Sequence, residues 1–243
     1  VMNKLRAFLL RPRMRAVIGQ SQPRFDLAQV FTKKKIVLVS LAKGVLGPEA
    51  AALLGSLIVS QVWQAALGRV RLPSERRHPV MVYVDEFQDY LHLPTDLTDV
   101  LAQARGLGVG LTLAHQHLAQ LPAAMRSAVL SNARSRICFQ LGSDDARIVA
   151  SATKDLTADD FQNLPRFQAY ASLVSSGSVA PFASIRTTAP REANVDVDKL
   201  RARSAHTYGQ DLKGVEAELA RLVGGVSGSS EDQDKPIGRR RRT

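Results

Sequence analysis

The chain has 243 residues, of which 45% are hydrophobic and 23% charged, which is the composition of a soluble globular protein with a sizeable core. Its formal net charge of +11 favours a polyanionic partner, either nucleic acid or an anionic membrane face. A charged surface that keeps the protein soluble, with a basic tail at residues 239–242 that binds nonspecifically, explains the charge equally well. The single cysteine, Cys138, excludes an internal disulfide or cysteine-based metal site, which fits a reducing compartment.

Helices and strands are predicted in turn from the N-terminus. Apolar spacing predicts a basic amphipathic helix over residues 3–19, a short helix opening at Phe25, and a strand over residues 36–39. A helix rich in alanine and leucine follows over residues 48–67, with proline at its first position. Because this helix is apolar on most sides, we expect it to pack against a sheet.

The strand predicted over residues 80–84 leads directly into two acidic residues. Its sequence, Val-Met-Val-Tyr-Val, is the continuous apolar run of a strand buried on both faces, and Asp85 and Glu86 follow it. In α/β folds, ligands bind beyond the carboxyl ends of the strands. One carboxylate there can hold Mg²⁺ and the next can orient an attacking water, so the pair predicts a nucleotide-hydrolysing core. The alternative is an acidic pair that merely ends a strand.

Strands and helices continue to alternate beyond this pair, which predicts an α/β fold with a mainly parallel sheet flanked by helices. From residue 191 the sequence becomes more polar, and we expect a helical extension over residues 191–222 and a disordered basic tail over residues 223–243. The remaining predicted elements of the first 190 residues are helices at about 95–104, 122–132 and 144–151, strands at 111–114 and 136–140, and a hairpin or two edge strands at 167–174 and 182–187.

A phosphate-binding loop is missing from the sequence. Such a loop needs glycines that bring backbone N–H groups around the phosphates, followed by lysine and then serine or threonine. No G-x-x-x-x-G-K-[ST] pattern occurs, and Lys43 precedes Gly44 instead of following it. We therefore expect either that the loop lies upstream of Val1, in a longer protein that could also carry a membrane anchor, or that the domain is degenerate and does not hydrolyse nucleotide.

Several further segments match a known pattern in their order and spacing. Gln116 follows the strand predicted at 111–114. Arg134 lies two residues before the strand predicted at 136–140, and Arg136 is the first residue of that strand. Together with residues 41–69 and Arg105–Gly106, these segments resemble the HerA/FtsK-like motor ATPases, and within them the TraD/TraG-like conjugative coupling proteins of type IV secretion. The resemblance covers about residues 1–190, which would be the C-terminal portion of a RecA-like ATPase core lacking its Walker A loop.

The resemblance implies a role for each candidate site residue. Asp85 would hold Mg²⁺ through water, Glu86 would activate the hydrolytic water, and Gln116 would sense the γ-phosphate of ATP. Either Arg134 or Arg136 would reach the site of the next subunit, where a guanidinium neutralises charge on the transferred phosphoryl group.

The resemblance also implies partners and a location. The intact protein would form a homo-oligomeric ring, a hexamer, that moves DNA through salt-sensitive phosphate contacts, and nucleotide would be its one small-molecule substrate. The sequence shows no signal peptide, and its longest apolar segment, residues 50–59, is too short to span a bilayer. We therefore expect a cytoplasmic protein, placed at the inner face of the membrane among secretion partners by segments that this sequence lacks.

Two functions of different classes are consistent with these features. The first is the ATP-driven motor, in which case this chain alone should hydrolyse ATP poorly or not at all. The second is a non-catalytic nucleic-acid-binding or assembly module that has kept the fold and basic surface but not the chemistry.

Overall fold

A computed structural model describes residues 11–90 and 97–227. It divides the chain into two compact units, one over residues 27–192 and one that combines residues up to 26 with those from 193 onward. The sequence-based boundaries grouped the N-terminal residues with the core instead, and those boundaries stay predictions.

The helix predicted over residues 48–67 has those bounds in the structure, and those predicted at about 122–132 and 144–151 differ by one residue at one or both ends. The helix predicted to open at Phe25 begins instead at Gln29, and the first ten residues, which include the start of the helix predicted over 3–19, lie outside the described residues. The short helices Lys43–Leu46 and Ala158–Gln162 were not predicted. The last helix continues to Ser227, past the predicted start of the disordered tail, whose remainder lies outside the described residues. The helices are α1 (Pro12–Ile18), α2 (Gln29–Thr32), α3 (Lys43–Leu46), α4 (Pro48–Leu67), α5 (Leu97–Ala104), α6 (Ala123–Asn132), α7 (Ser143–Ala150), α8 (Ala158–Gln162), α9 (Val197–Tyr208) and α10 (Leu212–Ser227).

The strands form three small sheets, and the predicted α/β class is confirmed. The first sheet pairs β1 with β2 in parallel, from Val80 opposite Val109 to Val84 opposite Leu113. The second has the antiparallel order β3-β4-β7, and β5 and β6 form a hairpin, so parallel pairing among the described strands is limited to the first sheet. The strands are β1 (Val80–Val84), β2 (Val109–Leu113), β3 (Arg136–Cys138), β4 (Gln168–Ser172), β5 (Val174–Ser175), β6 (Ser178–Val179) and β7 (Ala183–Arg186).

Helix α4 covers one face of the β1–β2 sheet. Its Trp63 and Ala66 are buried in the same cluster as Val84, Phe87 and Val109. By length and composition alone, the helical stretch Pro48–Arg71 could also cross a bilayer, which the sequence-based reading of residues 50–59 did not anticipate. Core helices of soluble proteins can have the same length and composition. The burial of Trp63 and Ala66 accounts for part of the apolar character of this helix.

The opposite face of β1 is open, so the prediction that this strand is buried on both faces is wrong for the described structure. Val84 is buried, whereas Met81 and Tyr83, which alternate with it, are 56% and 72% exposed. Residues 36–39 form no strand, and Ile36 is 89% exposed. A strand needs a neighbour to accept its backbone hydrogen bonds, and no described strand pairs with this segment.

A buried arginine joins the starts of the two parallel strands. Arg69 is 5% exposed, and its Nη1 donates to the carbonyl oxygen of Leu107 (2.8 Å) while its Nη2 donates to that of His78 (2.6 Å). Its guanidinium carbon also lies 4.8 Å from the ring centroid of Phe31. Since Leu107 and His78 each precede a strand by two residues, one guanidinium fixes the separation of β1 and β2 at this end.

Replacing Arg69 by methionine is therefore expected to lower the free energy of unfolding by about 1–3 kcal/mol, because two carbonyl acceptors lose their donor. Urea denaturation followed by circular dichroism measures this change. The matched control is Arg71→Met, which alters an exposed arginine on the same 3₁₀ turn and should change stability by less than about 0.5 kcal/mol. Equal losses for both variants would contradict the joining role of Arg69.

Candidate active site

The acidic pair lies in a strained turn at the carboxyl end of β1. The exposed Asp85 uses its Oδ1 to accept a hydrogen bond from the backbone N–H of Glu86 (3.1 Å). Glu86 has left-handed backbone angles, φ 48° and ψ 49°, which cost a non-glycine residue about 1–3 kcal/mol and cluster at functional sites. The chain then enters the 3₁₀ turn Phe87–Asp89, whose fully buried Phe87 anchors the turn in the core.

Gln116 is brought beside Glu86 by pairing that continues past the ends of the strands. Ala114 N–H donates to the Val84 carbonyl (3.0 Å), and Phe87 N–H donates to the Ala114 carbonyl (3.2 Å). Two residues later, the Nε2 of Gln116 donates to Oε1 of Glu86 at 2.6 Å. The structure thus brings together the predicted acidic pair and the predicted glutamine.

The carboxylate of Glu86 receives a second amide, which sequence reasoning missed. The Nε2 of Gln88 donates to Oε2 of Glu86, also at 2.6 Å. The two hydrogen bonds, first that from Gln88 and then that from Gln116, lower the pKa of Glu86. The carboxylate therefore remains ionised, as an acceptor of a proton from water must be. Because hydrogen bonds to the charged form lower this pKa, the turn gains stability above the ordinary glutamate pKa and loses it as the pH falls through the lowered value.

A lysine also lies at the site. Lys43 in α3 forms an ion pair with Asp89, with 2.5 Å between Nζ and Oδ2, and this hydrogen bond raises the pKa of Lys43. Its positive charge also helps to lower the pKa of Glu86. Lys43 was set aside in the sequence because it stands on the wrong side of Gly44 for a phosphate loop, and no sequence signal pointed to its contact with Asp89.

The loop that carries Gln116 is anchored from another helix. Leu118 N–H donates to Oδ2 of Asp145 at 2.9 Å, and Asp145 is 8% exposed at the start of α7. Breaking a hydrogen bond to a buried carboxylate costs free energy, so this contact with α7 stabilises the position of the loop. Nothing in the sequence separates Asp145 from the exposed Asp144 beside it.

The two candidate arginines occupy different environments, and neither has a hydrogen bond to the acidic turn. Arg136 donates to the carbonyl oxygens of Leu130 (2.6 Å) and Ala133 (3.3 Å), where it stabilises the carbonyl end of α6. Arg134 is exposed and donates to the carbonyl oxygen of Gly177 (2.9 Å) in the β5–β6 hairpin. Their catalytic roles stay predictions, and the geometry favours Arg134 because Arg136 is committed to its own helix.

Comparison with known proteins gives a partial family match. Residues 79–154 match the family described as the TraM recognition site of TraD and TraG. This range contains the acidic pair, Gln116 and both arginines. No curated protein matches the sequence significantly.

Solved structures of a conjugative coupling protein share the fold. The unbound monoclinic form of TrwB, a bacterial conjugative coupling protein lacking its N-terminal segment, is 18% identical with a TM-score of 0.52, and the match covers 60% of this chain and 39% of that one. A trigonal form in complex with sulphate is 18% identical with a TM-score of 0.50, covering 63% and 40%. TrwB in complex with ADP and Mg²⁺ is 19% identical with a TM-score of 0.49, covering 61% and 40%.

The chain therefore shares the α/β fold of these TrwB structures over about 60% of its length, and it spans about two-fifths of the TrwB chains that it matches. The resemblance to the TraD/TraG-like coupling proteins that the sequence motifs predicted is confirmed over residues 79–154.

Proposed function

We propose that this chain is the acidic half of the nucleotide site in an ATP-driven, DNA-translocating motor of the conjugative coupling type. The observation that carries the proposal is the contact between Glu86 and Gln116 at the carboxyl ends of two parallel strands. An ionised carboxylate there can accept a proton from water, while the adjacent amide can exchange its contact for the γ-phosphate.

The carboxylates at this site fit Mg²⁺ better than they fit a metal ion that is bound by protein side chains alone. Among the described residues, no group of three or more histidine, cysteine, aspartate or glutamate side chains could hold a metal ion. Mg²⁺ needs no such group, since it keeps several waters and takes one or two carboxylates together with phosphate oxygens. Asp85 would hold the ion through water, and bound Mg²⁺ would neutralise charge on the phosphates of ATP.

The phosphate-binding half of the site would come from a segment outside this sequence. Support comes from the open side of β1, where Tyr83 is 72% exposed, and from Ile36 and Leu38, which are 89% and 83% exposed. In addition, β2 pairs with β1 alone among the described strands, which leaves its other edge available. Additional strands would cover these surfaces and complete a RecA-like sheet.

The assembled motor would be a homo-oligomeric ring at the cytoplasmic face of the membrane. Arg134 would enter the site of the neighbouring subunit, since a trans-acting arginine must be exposed. The net charge of +11 supports contacts with DNA phosphates, and binding would then weaken steeply as the salt concentration rises.

The 243-residue chain by itself should show no ATP turnover above background, because its sequence contains no G-x-x-x-x-G-K-[ST] loop to bind the phosphates. A coupled assay of ATP hydrolysis with Mg²⁺ present measures this. The control is the same chain carrying Glu86→Gln, which should give the same background. Turnover by the unaltered chain that Glu86→Gln abolishes would contradict the assignment of the phosphate-binding half to another segment.

Protein recognition is the second candidate function. It is favoured by the matched family, whose description is a recognition site for TraM, and by the exposed apolar side chains of Ile137 and Phe139 on and beside β3. Under this function the chain would be a docking module for a protein of that kind. If Glu86→Gln left the turnover of the complete protein unchanged, docking rather than hydrolysis would be the function of this segment.

A further inference from the structure

The two amides on Glu86 come from parts of the molecule with different freedom to move. Gln88 is two residues along the same turn and half-buried, between the buried Phe87 and Tyr90, whereas Gln116 is exposed in the loop after β2. Gln88 therefore stays with Glu86 in any movement of the turn. Gln116 can leave without disturbing the core.

The amide orientation of Gln88 is set by the carboxylate alone. Its Nε2 donates to Glu86 Oε2, while its Oε1 is buried and has no hydrogen-bond partner among the described residues. A buried acceptor without a partner costs free energy, so the side chain is retained in this position at some expense. A side chain that lowers stability in this way is expected where its position serves the function of the site.

We propose that Gln88 is a positioning residue that keeps the Glu86 carboxylate aimed at the reaction site while Gln116 exchanges its contact for nucleotide. This proposal rests on the proposed function. Without Gln88, release of Gln116 would leave a glutamate in a strained left-handed turn with no hydrogen bond to hold its side chain. With Gln88, one carboxylate oxygen stays fixed and the other becomes available to water.

The test is steady-state turnover in the complete motor protein, read as separate values of kcat and of KM for ATP. Gln88→Met keeps the length of the side chain and removes the donor, so kcat should fall by up to about 100-fold, the cost of a small misplacement of a catalytic group, while KM stays nearly unchanged. The matched control is Gln120→Met, because Gln120 lies in the same loop as Gln116 but contacts the backbone N–H of His117 instead of Glu86.

A fall in kcat for Gln88→Met at unchanged KM, with neither changed in Gln120→Met, supports the positioning role. An unchanged kcat in Gln88→Met, or equal losses in both variants, would overturn it. Urea denaturation of the two variants separates a loss of folding from a loss of positioning. If Glu86→Gln left turnover intact, the proposed function would fail; if Glu86→Gln abolished turnover and Gln88→Met left it unchanged, the positioning role alone would fail.

Discussion

Replacing Glu86 by glutamine in the complete motor protein is expected to reduce ATP turnover by about 100- to 10,000-fold, the range that a general base contributes. Glutamine has the same shape: its oxygen can still accept from the amide of Gln88, and its NH₂ can donate to Gln116 once that exposed amide rotates to present its oxygen, so the strained turn should keep its geometry. The loss would therefore come from proton transfer and not from folding. Steady-state turnover measured beside equilibrium nucleotide binding separates the two, because binding should change little.

The matched control changes a glutamate that precedes β1. Glu75→Gln removes an exposed carboxylate that accepts a hydrogen bond from Ser74, in the turn before β1. Its turnover should equal that of the unaltered protein. If Glu86→Gln retained more than a tenth of the original turnover, Glu86 would not be the general base.

Replacing Phe87 by alanine should lower the free energy of unfolding by about 3–5 kcal/mol, the range for removing a buried phenylalanine. Phe87 is fully buried, and its ring makes an edge contact with that of His115, with 5.6 Å between centroids. Because Phe87 directly follows Glu86, the cavity should loosen the acidic turn along with the core. Urea denaturation measures the stability change.

Phe139→Ala is the matched control for Phe87, since Phe139 is 50% exposed after β3. Its loss should be below about 1 kcal/mol, because little apolar surface leaves the core. A loss for Phe87→Ala no larger than that for Phe139→Ala would show that the acidic turn is not anchored by its neighbouring aromatic residue.

The sequence predicted those parts of the site that depend on strand order. Asp85 and Glu86 follow β1, Gln116 follows β2, and the carboxyl ends of parallel neighbours meet at one edge. Helix α4 was predicted with its observed bounds because proline marks its start and a mainly apolar composition extends to its end. These are local signals, which do not depend on contacts with distant parts of the chain.

Contacts that depend on side-chain direction were not predictable. Gln88 reaches Glu86 only because Glu86 adopts left-handed backbone angles, which no local pattern indicates for a glutamate. Arg136 lies within reach of the carbonyl end of α6 and Arg134 does not, and nothing in their sequence spacing separated the two. Burial of both faces of β1 was predicted from its continuous apolar composition. Composition shows which side chains a strand carries, but it does not show whether another layer of the structure covers them.

The open side of the first sheet has a practical consequence for handling the isolated chain. An unpaired strand edge beside exposed apolar side chains is a template on which other chains add strands, and it is a common origin of aggregation. Net positive charge opposes that association, and added salt weakens the opposition by screening it. Salt should thus act on this chain in two opposite ways, loosening any contact with nucleic acid while promoting self-association through the edge of β2.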